Sequence, residues 1–395
     1  MRPLLLILHD HFEYRGGGET MLLRVARLAR EFADPRLGII WGQDAGILQP
    51  DELGMFDETR LFRLPDAVTL STACAQYRGL REMSRWMEEL SPAAVLSFTV
   101  RSSVRAAGIV RRLGLPFGWM CQQSFPLFLP PRQRVKQFLG SRALLRARTR
   151  IVCISNESVA AFRGMGFPSD HLCLIRNGID CERVVPESAS HDEIMLRRAE
   201  LGIGDAELAG VCVARLDPIK NHGVILRGLS ELNQRGRRVA MLFVGGTAPH
   251  APEYTEKLHA QCRELGLERQ VVFAGDQTDV HPWLAISDFA VLASRKEAGP
   301  LALAEAGAAG LPLIGSQVGG IPDIVVPDVT GFLFRSDDEK SFADALFPLL
   351  KDSVLRRRLG MGARQLVCEE FNMARQTERW RDFLHHLLRM QVPAN

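Results

Sequence analysis

Glu297 and Glu305 enclose the stretch Glu297-Ala-Gly-Pro-Leu-Ala-Leu-Ala-Glu305. Pro300 suits the first position of a helix, where its missing N–H would have no partner in any case, and Gly310 followed by Pro312 suits the end of one. The spacing therefore predicts Glu297 in a loop and Glu305 inside a helix, about 7.5 Å along the axis from Pro300. Between the carboxylates lie the first-turn amides near Leu301 and Ala302, groups that attract anions and hydroxyl oxygens. Two hydroxyl acceptors with donors between them fit a ligand such as a nucleotide-sugar.

Other segments could contribute. Arg215-Leu-Asp-Pro-Ile-Lys220-Asn-His222 follows a predicted strand. Two cations at a strand's carboxyl end can neutralise a departing diphosphate, although the same residues also make a polar loop with an Asp217–Arg215 pair. Gly16-Gly-Gly-Glu19 follows the first predicted strand and opens a helix, so Gly16, Gly17 and Gly18 let backbone approach a ligand closely. It lacks G-x-G-x-x-G and reads equally as a tight turn. Gly319-Gly-Ile-Pro-Asp323 offers the same permissive backbone after another strand. His11, His222 and His281 lie near strand ends, but no histidine has metal-ligand spacing, and no G-x-S-x-G, H-E-x-x-H or Walker pattern occurs.

The elements that must carry these groups alternate. Strands are predicted at Leu4–Leu8, Leu37–Trp41, Ala94–Phe98, Ile151–Ile154, Gly210–Ala214, Ala240–Val244, Val271–Phe273, Phe289–Ala293 and Pro312–Gly315. Helices are predicted between them, among them Glu19–Phe32, Val224–Gln234, Tyr254–Leu265 and Leu301–Ala309. Strand–helix alternation implies α/β architecture with doubly wound parallel sheets, whose ligands sit beyond the carboxyl ends of the strands. At 395 residues two domains are expected, divided near Asn177-Gly-Ile-Asp180. The expected blocks are 1–180 and 181–370, followed by a final helix in 371–395.

The composition, 46% hydrophobic and 24% charged, is that of a globular protein. Its eight cysteines form no C-x-x-C pair and read as reduced, buried thiols of a cytosolic protein. The apolar run Pro3–Leu8 is short for a signal peptide and fits a buried strand, and no run approaches the ~18 apolar residues of a membrane span. Residues 1–180 hold 24 Lys+Arg against 17 Asp+Glu, and between Leu90 and Asn156 there is no acidic residue. That stretch includes Arg132, Arg134, Lys136, Arg142, Arg146, Arg148 and Arg150, preceded by Phe125-Pro-Leu-Phe-Leu129. Cations beside apolar residues suit an anionic membrane surface or a phosphorylated acceptor; a solvated helix face is the alternative. Few aromatics interleave with the cations, which disfavours nucleic acid.

Taken in order, Gly16-Gly-Gly-Glu19, Asn177-Gly-Ile-Asp180, Val213-Ala-Arg-Leu-Asp-Pro-Ile-Lys220, Phe243-Val-Gly245, Phe273-Ala-Gly275, the Ser294–Glu305 stretch, Gly319-Gly320 and Gly331-Phe-Leu-Phe334 resemble the family-4 retaining glycosyltransferases of GT-B architecture. The resemblance implies two Rossmann-like domains facing a cleft, with the C-terminal helix crossing back to the N-terminal domain. It implies that Glu305 holds ribose hydroxyls, Glu297 touches the sugar, and Arg215 and Lys220 grip the diphosphate. The backbone of Gly299, Pro300, Leu301 and Ala302 would meet sugar hydroxyls, and Gly16 and Gly17 would pack against donor and acceptor. No cofactor or metal is expected, and the anomeric configuration should be retained by same-face substitution. Gln122 stands where the family usually shows a histidine, so this acceptor-side position cannot titrate near neutral pH.

The expectation is thus a transferase moving sugar from a nucleotide-diphosphate sugar to a glycan or lipid-linked acceptor in surface polysaccharide or glycolipid synthesis. It would be cytoplasmic and peripheral on the membrane's cytoplasmic face. A weakly active nucleotide-sugar-binding subunit that docks on a partner or membrane is the alternative that Gln122 supports. An epimerase or phosphorylase of the same architecture is disfavoured by the Glu297–Glu305 segment.

Overall fold

Short apolar runs without polar alternation form strands that are covered on both faces, and this chain builds two sheets from them. The computed structural model describes residues 2–10, 17–40, 48–65, 69, 71–122, 131–184, 190–204 and 208–390. The chain divides into two compact units, residues 1–175 with 377–395, and residues 176–376.

In the first unit the strands are β1 (Leu4–His9), β2 (Asp34–Ile39), β3 (Thr59–Leu61), β4 (Ala94–Ser97), β5 (Phe117–Cys121), β6 (Arg150–Cys153) and β7 (Leu172–Leu174). They lie in the order β3-β2-β1-β4-β5-β6-β7, and every pairing is parallel. In the second unit β8 (Ala209–Val213), β9 (Ala240–Val244), β10 (Val271–Gly275), β11 (Phe289–Leu292), β12 (Leu313–Ser316) and β13 (Gly331–Phe334) are ordered β10-β9-β8-β11-β12-β13, again all parallel. Each unit is therefore a doubly wound, Rossmann-like sheet. The winding reverses between β1 and β4 in one unit and between β8 and β11 in the other, and at such a reversal the loops part and leave room for a ligand.

The second sheet separates two cores. Along β9, Met241 and Phe243 join one apolar cluster while Leu242 and Val244 join the other. That two-sided burial is why its strands read as continuous apolar runs. The first unit also contains part of the helix Met373–Arg389, whose Trp380, Phe383, Leu384 and Leu387 are buried. Trp380 stacks on Phe98 with centroids 6.3 Å apart. A Cβ on Gly118 of β5 would lie 3.0 Å from Leu387 and 3.2 Å from Phe383, so the missing side chain makes room for this helix.

Some boundaries differ from expectation. β2 begins at Asp34, not Leu37, and its expected end, Trp41, lies outside the described residues. β3, β5, β7 and β13 are not among the expected strands. β3 and β7 are three-residue pieces at the two edges of the sheet, and Gly118 interrupts the strand signal of β5. All eight cysteines are free; burial pushes the Cys153 and Cys212 thiols up to about 12.

Candidate functional site

Two loops leave the adjacent strands β8 and β11 at the winding reversal of the second sheet. The β8 loop folds on its own aspartate. Asp217 is buried, its Oδ1 accepts the Ile219 amide at 2.9 Å, and its carbonyl accepts the Lys220 amide at 2.8 Å. This turn delivers Lys220 to the sheet edge just before the helix His222–Gln234. The β11 loop delivers Glu297, and Lys220 Nζ lies 2.6 Å from Glu297 Oε2. Ser294 Oγ donates to the same oxygen at 3.3 Å.

Arg295 fastens the loops together. Its amide donates to the Ile219 carbonyl and its Nη1 to the Pro218 carbonyl, both at 2.8 Å. Its guanidinium also grips Asp337, which accepts from Asn221 Nδ2 at 3.1 Å. The pair raises the Arg295 pKa and holds that of Asp337 below the usual carboxylate range, in each case chiefly through their hydrogen bond. A third loop supports Glu297 from behind. Gly319 has φ +55°, a Cβ there would fall 1.6 Å from the Glu297 carbonyl oxygen, and the Gly320 amide donates to that oxygen at 3.0 Å. The Gly319-Gly320 turn, uninformative by itself in the sequence, is a backbone support for Glu297.

The helix expected after Glu297 is Leu301–Ala308, with Pro300 at its N-cap and not at its first helical position. The Leu301 amide turns back onto the Gly299 carbonyl at 2.9 Å, so helical bonding starts with the Leu303 and Ala304 amides on the Pro300 carbonyl, each at 3.1 Å. Of the two amides expected to be open, Leu301 is engaged, and Ala302 makes no hydrogen bond among the described residues. Gly310, with φ +81°, ends the helix as expected: the Leu311 amide reaches the Ala306 carbonyl at 3.1 Å, the closing bond of a left-handed cap. Glu305 lies inside the helix, half-buried, and its side chain makes no hydrogen bond or ion pair among the described residues. Desolvation pushes its pKa up, against the opposing charge of His281. An under-solvated carboxylate without donors is suited to accept hydroxyl groups.

Arg215 stands apart from this pair. Its side chain is 62% exposed and its ion pair is a loose one, 3.9 Å from Asp217. His222, adjacent in space to Lys220 and fully buried, is pushed down to about 4, first by burial and then by the Lys220 charge. It is neutral at physiological pH and adds no charge beside Lys220.

In the first unit the reversal between β1 and β4 carries a second polar group. Buried His9 ends β1 and places Nε2 3.3 Å from Glu19 Oε1, and a Cβ on Gly18 would lie 3.1 Å from Gln122 Oε1. Gly17 and Gly18 open the helix Gly17–Ala29; Gly16 and His11 lie outside the described residues. His9 was not foreseen as a site residue. Its signal was position alone, the last residue of the first buried strand. The side chains of Arg132, Arg134 and Lys136, on the helix Pro131–Arg146, also lie outside what is described. No described helix is long and apolar enough to cross a membrane.

The chain is similar to known proteins. Residues 15–183 match Glycosyltransferase Family 4, and residues 196–366 match Glycosyl transferases group 1. The chain is 29% identical over 239 residues to N-acetyl-alpha-D-glucosaminyl L-malate synthase of Bacillus anthracis, a match covering 60% of each protein. It is 25% identical over 376 residues to the GDP-mannose-dependent alpha-(1-6)-phosphatidylinositol monomannoside mannosyltransferase of Mycolicibacterium smegmatis, covering 91% of each. The fold is shared with Anabaena HepE, solved in complex with UDP, at a TM-score of 0.80 and 19% identity over 98% of this chain and 100% of that one. Sheet order, loop placement and these matches agree: the chain belongs to the family-4 glycosyltransferases of GT-B architecture.

Proposed function

We propose that this chain transfers a sugar, with retention at the anomeric carbon and without a metal, from a nucleotide-diphosphate sugar to a glycan or lipid-linked acceptor. The Lys220–Glu297 ion pair at the β8/β11 reversal carries this reading. An ammonium already neutralised by a carboxylate keeps its position without a bound anion and can be shared with a diphosphate when one arrives.

In this scheme Glu305 accepts the ribose hydroxyls, and Glu297 and the backbone from Gly299 to Ala302 contact the sugar. As the anomeric C–O bond breaks, its electrons pass to the departing diphosphate oxygen. Lys220 and the exposed Arg215 compensate the charge that develops there. The acceptor oxygen bonds to the same face of the sugar, and its proton goes to the departing oxygen. Gly16, Gly17 and Gly18 contribute to donor binding, and Gln122 belongs to the acceptor side. The UDP bound by HepE and the sugar-transfer reactions named for the relatives support the donor class. No group of three side chains able to hold a metal occurs among the described residues.

Support for a membrane setting of the acceptor comes from the helix Pro131–Arg146, which contains no acidic residue. Phe138 is 57% and Leu139 62% exposed, and the Arg142 guanidinium lies 5.3 Å over the Phe138 ring. Exposed apolar groups flanked by cations suit an anionic bilayer surface, where lipid-linked acceptors reside.

The test is melting temperature in the presence of UDP-, GDP-, ADP- and dTDP-glucose. One of them should raise it in the native chain and not in Glu305→Ala, since a ligand of the folded state alone stabilises it. No shift with any of the four would overturn the reading. Binding without transfer to any acceptor would favour a sugar-nucleotide-binding subunit, the outcome that Gln122 makes a real alternative.

A further inference from the structure

Arg176 is the first residue of the second unit, and its side chain is only 12% exposed. Nη1 lies 3.3 Å from Glu370 Oε2, Nη2 lies 3.7 Å from Asp323 Oδ2, and the guanidinium sits 5.5 Å over the Phe371 ring. Its carbonyl accepts from Gln376 Nε2 at 2.9 Å, which ties together the two places where the chain passes between the units. The Nε atom is buried without a hydrogen-bond partner. A desolvated pair at 3.7 Å with an unsatisfied donor is a poor source of stability. What it does fix is the location of Asp323, whose side chain is 7% exposed.

Asp323 closes the short turn Ile321–Asp323, and its amide donates to the Gly320 carbonyl at 3.2 Å. The Gly320 amide in turn donates to the Glu297 carbonyl at 3.0 Å. The Glu297 carboxylate then holds Lys220. Each link is direct, and the space beside Gly319 leaves Glu297 no room to move toward the turn.

We infer that Arg176 is a positioning residue for Glu297, acting through Asp323 and the Gly319–Asp323 turn. This rests on the role proposed for Glu297, and it places that carboxylate under the control of the segment where the chain enters the second unit. Arg176 touches no reacting atom in this scheme. Its removal loosens the turn, lets the Glu297 backbone drift and spoils the Lys220 geometry.

The experiment combines amide hydrogen exchange with kinetics in Arg176→Gln, Asp323→Asn, the double variant, Arg176→Lys and Glu370→Gln. Exchange at the Gly320 amide should rise about tenfold in either of the first two, and the double should match the larger single effect. UDP release from UDP-glucose should fall about tenfold in kcat with KM changed less than about twofold, and Arg176→Lys should recover most of both effects. Glu370→Gln should leave Gly320 exchange unchanged, because Glu370 meets Arg176 at Nη1 and Asp323 meets it at Nη2. Unchanged Gly320 exchange in Arg176→Gln, or additive effects in the double, overturns the inference. If Arg176→Gln does not fold, Asp323→Asn and Arg176→Lys carry the same comparison. The exchange measurement needs no substrate, so an inactive protein would sink the proposed reaction and leave this inference to stand or fall separately.

Discussion

Lys220 Nζ stands 2.6 Å from Glu297 Oε2 although 77 residues separate them in the chain. Their meeting follows from strand order: β8 and β11 are neighbours in the sheet and their loops open at the same edge. If Lys220 compensates the departing diphosphate, Lys220→Ala should lower the turnover of UDP-glucose about 100-fold while changing its affinity far less. Steady-state nucleotide release measures this. A rise in KM with kcat unchanged would assign Lys220 to ground-state binding alone.

Glu305 gives a prediction of opposite sign for stability and for ligand response. Burial raises its pKa, so above the unfolded value the folded chain binds more protons, and stability falls as pH rises through the folded pKa. Burial therefore disfavours the charged form of this carboxyl group in the unliganded chain. Glu305→Gln should raise the melting temperature of the unliganded chain at pH 7.5 by about 1–3 °C and abolish the shift produced by sugar nucleotide. A melting temperature that falls while ligand response survives would remove Glu305 from the site.

His222 sets an acid limit on the same corner. Its folded pKa, about 4, lies below the usual 6.5, so the unfolded chain binds more protons between those values and stability is lost as pH falls. The gap from 6.5 to about 4 corresponds to about 3 kcal/mol once both forms are protonated. Urea titrations from pH 7 to 4 should show that loss in the native chain and a flatter profile in His222→Leu. Parallel profiles would mean that other groups dominate the acid response.

The exposed pair Phe138 and Leu139 is tested with vesicles. The native chain should sediment with phosphatidylcholine vesicles containing phosphatidylglycerol, less so as salt is added, and not with phosphatidylcholine alone. Phe138→Ser with Leu139→Ser should weaken the association about tenfold or more, because each removes an apolar side chain from the bilayer interface. Equal sedimentation with both vesicle types would rule out the charge-directed surface.

Much of the candidate site in the second unit was legible in the sequence because its groups lie next to punctuation. Gly310 ends the Glu305 helix at the expected place, and Lys220 and Glu297 follow runs recognisable as strands. What was not legible depends on contacts distant in sequence. The support of Glu297 by Gly319 and Gly320 appears only when β12 lies beside β11. Pro300 was misplaced by one position because the local turn from Gly299 to Leu301 wins over the usual helix start. His9 carried no pattern of its own, and β5 was hidden by a glycine whose purpose lies more than 260 residues further along the chain.

That glycine has a consequence for biosynthesis. Gly118 leaves a vacancy in the first sheet that Leu387 and Phe383 fill, so the first sheet is completed by residues translated only after those of the second unit. On the ribosome the first sheet must wait, with part of its apolar face uncovered, while the whole second unit is made. Nascent chains arrested after Ile175 should be cut by protease within the first unit at rates well above those of the released, full-length chain. Equal resistance would show that the first sheet closes without its final helix.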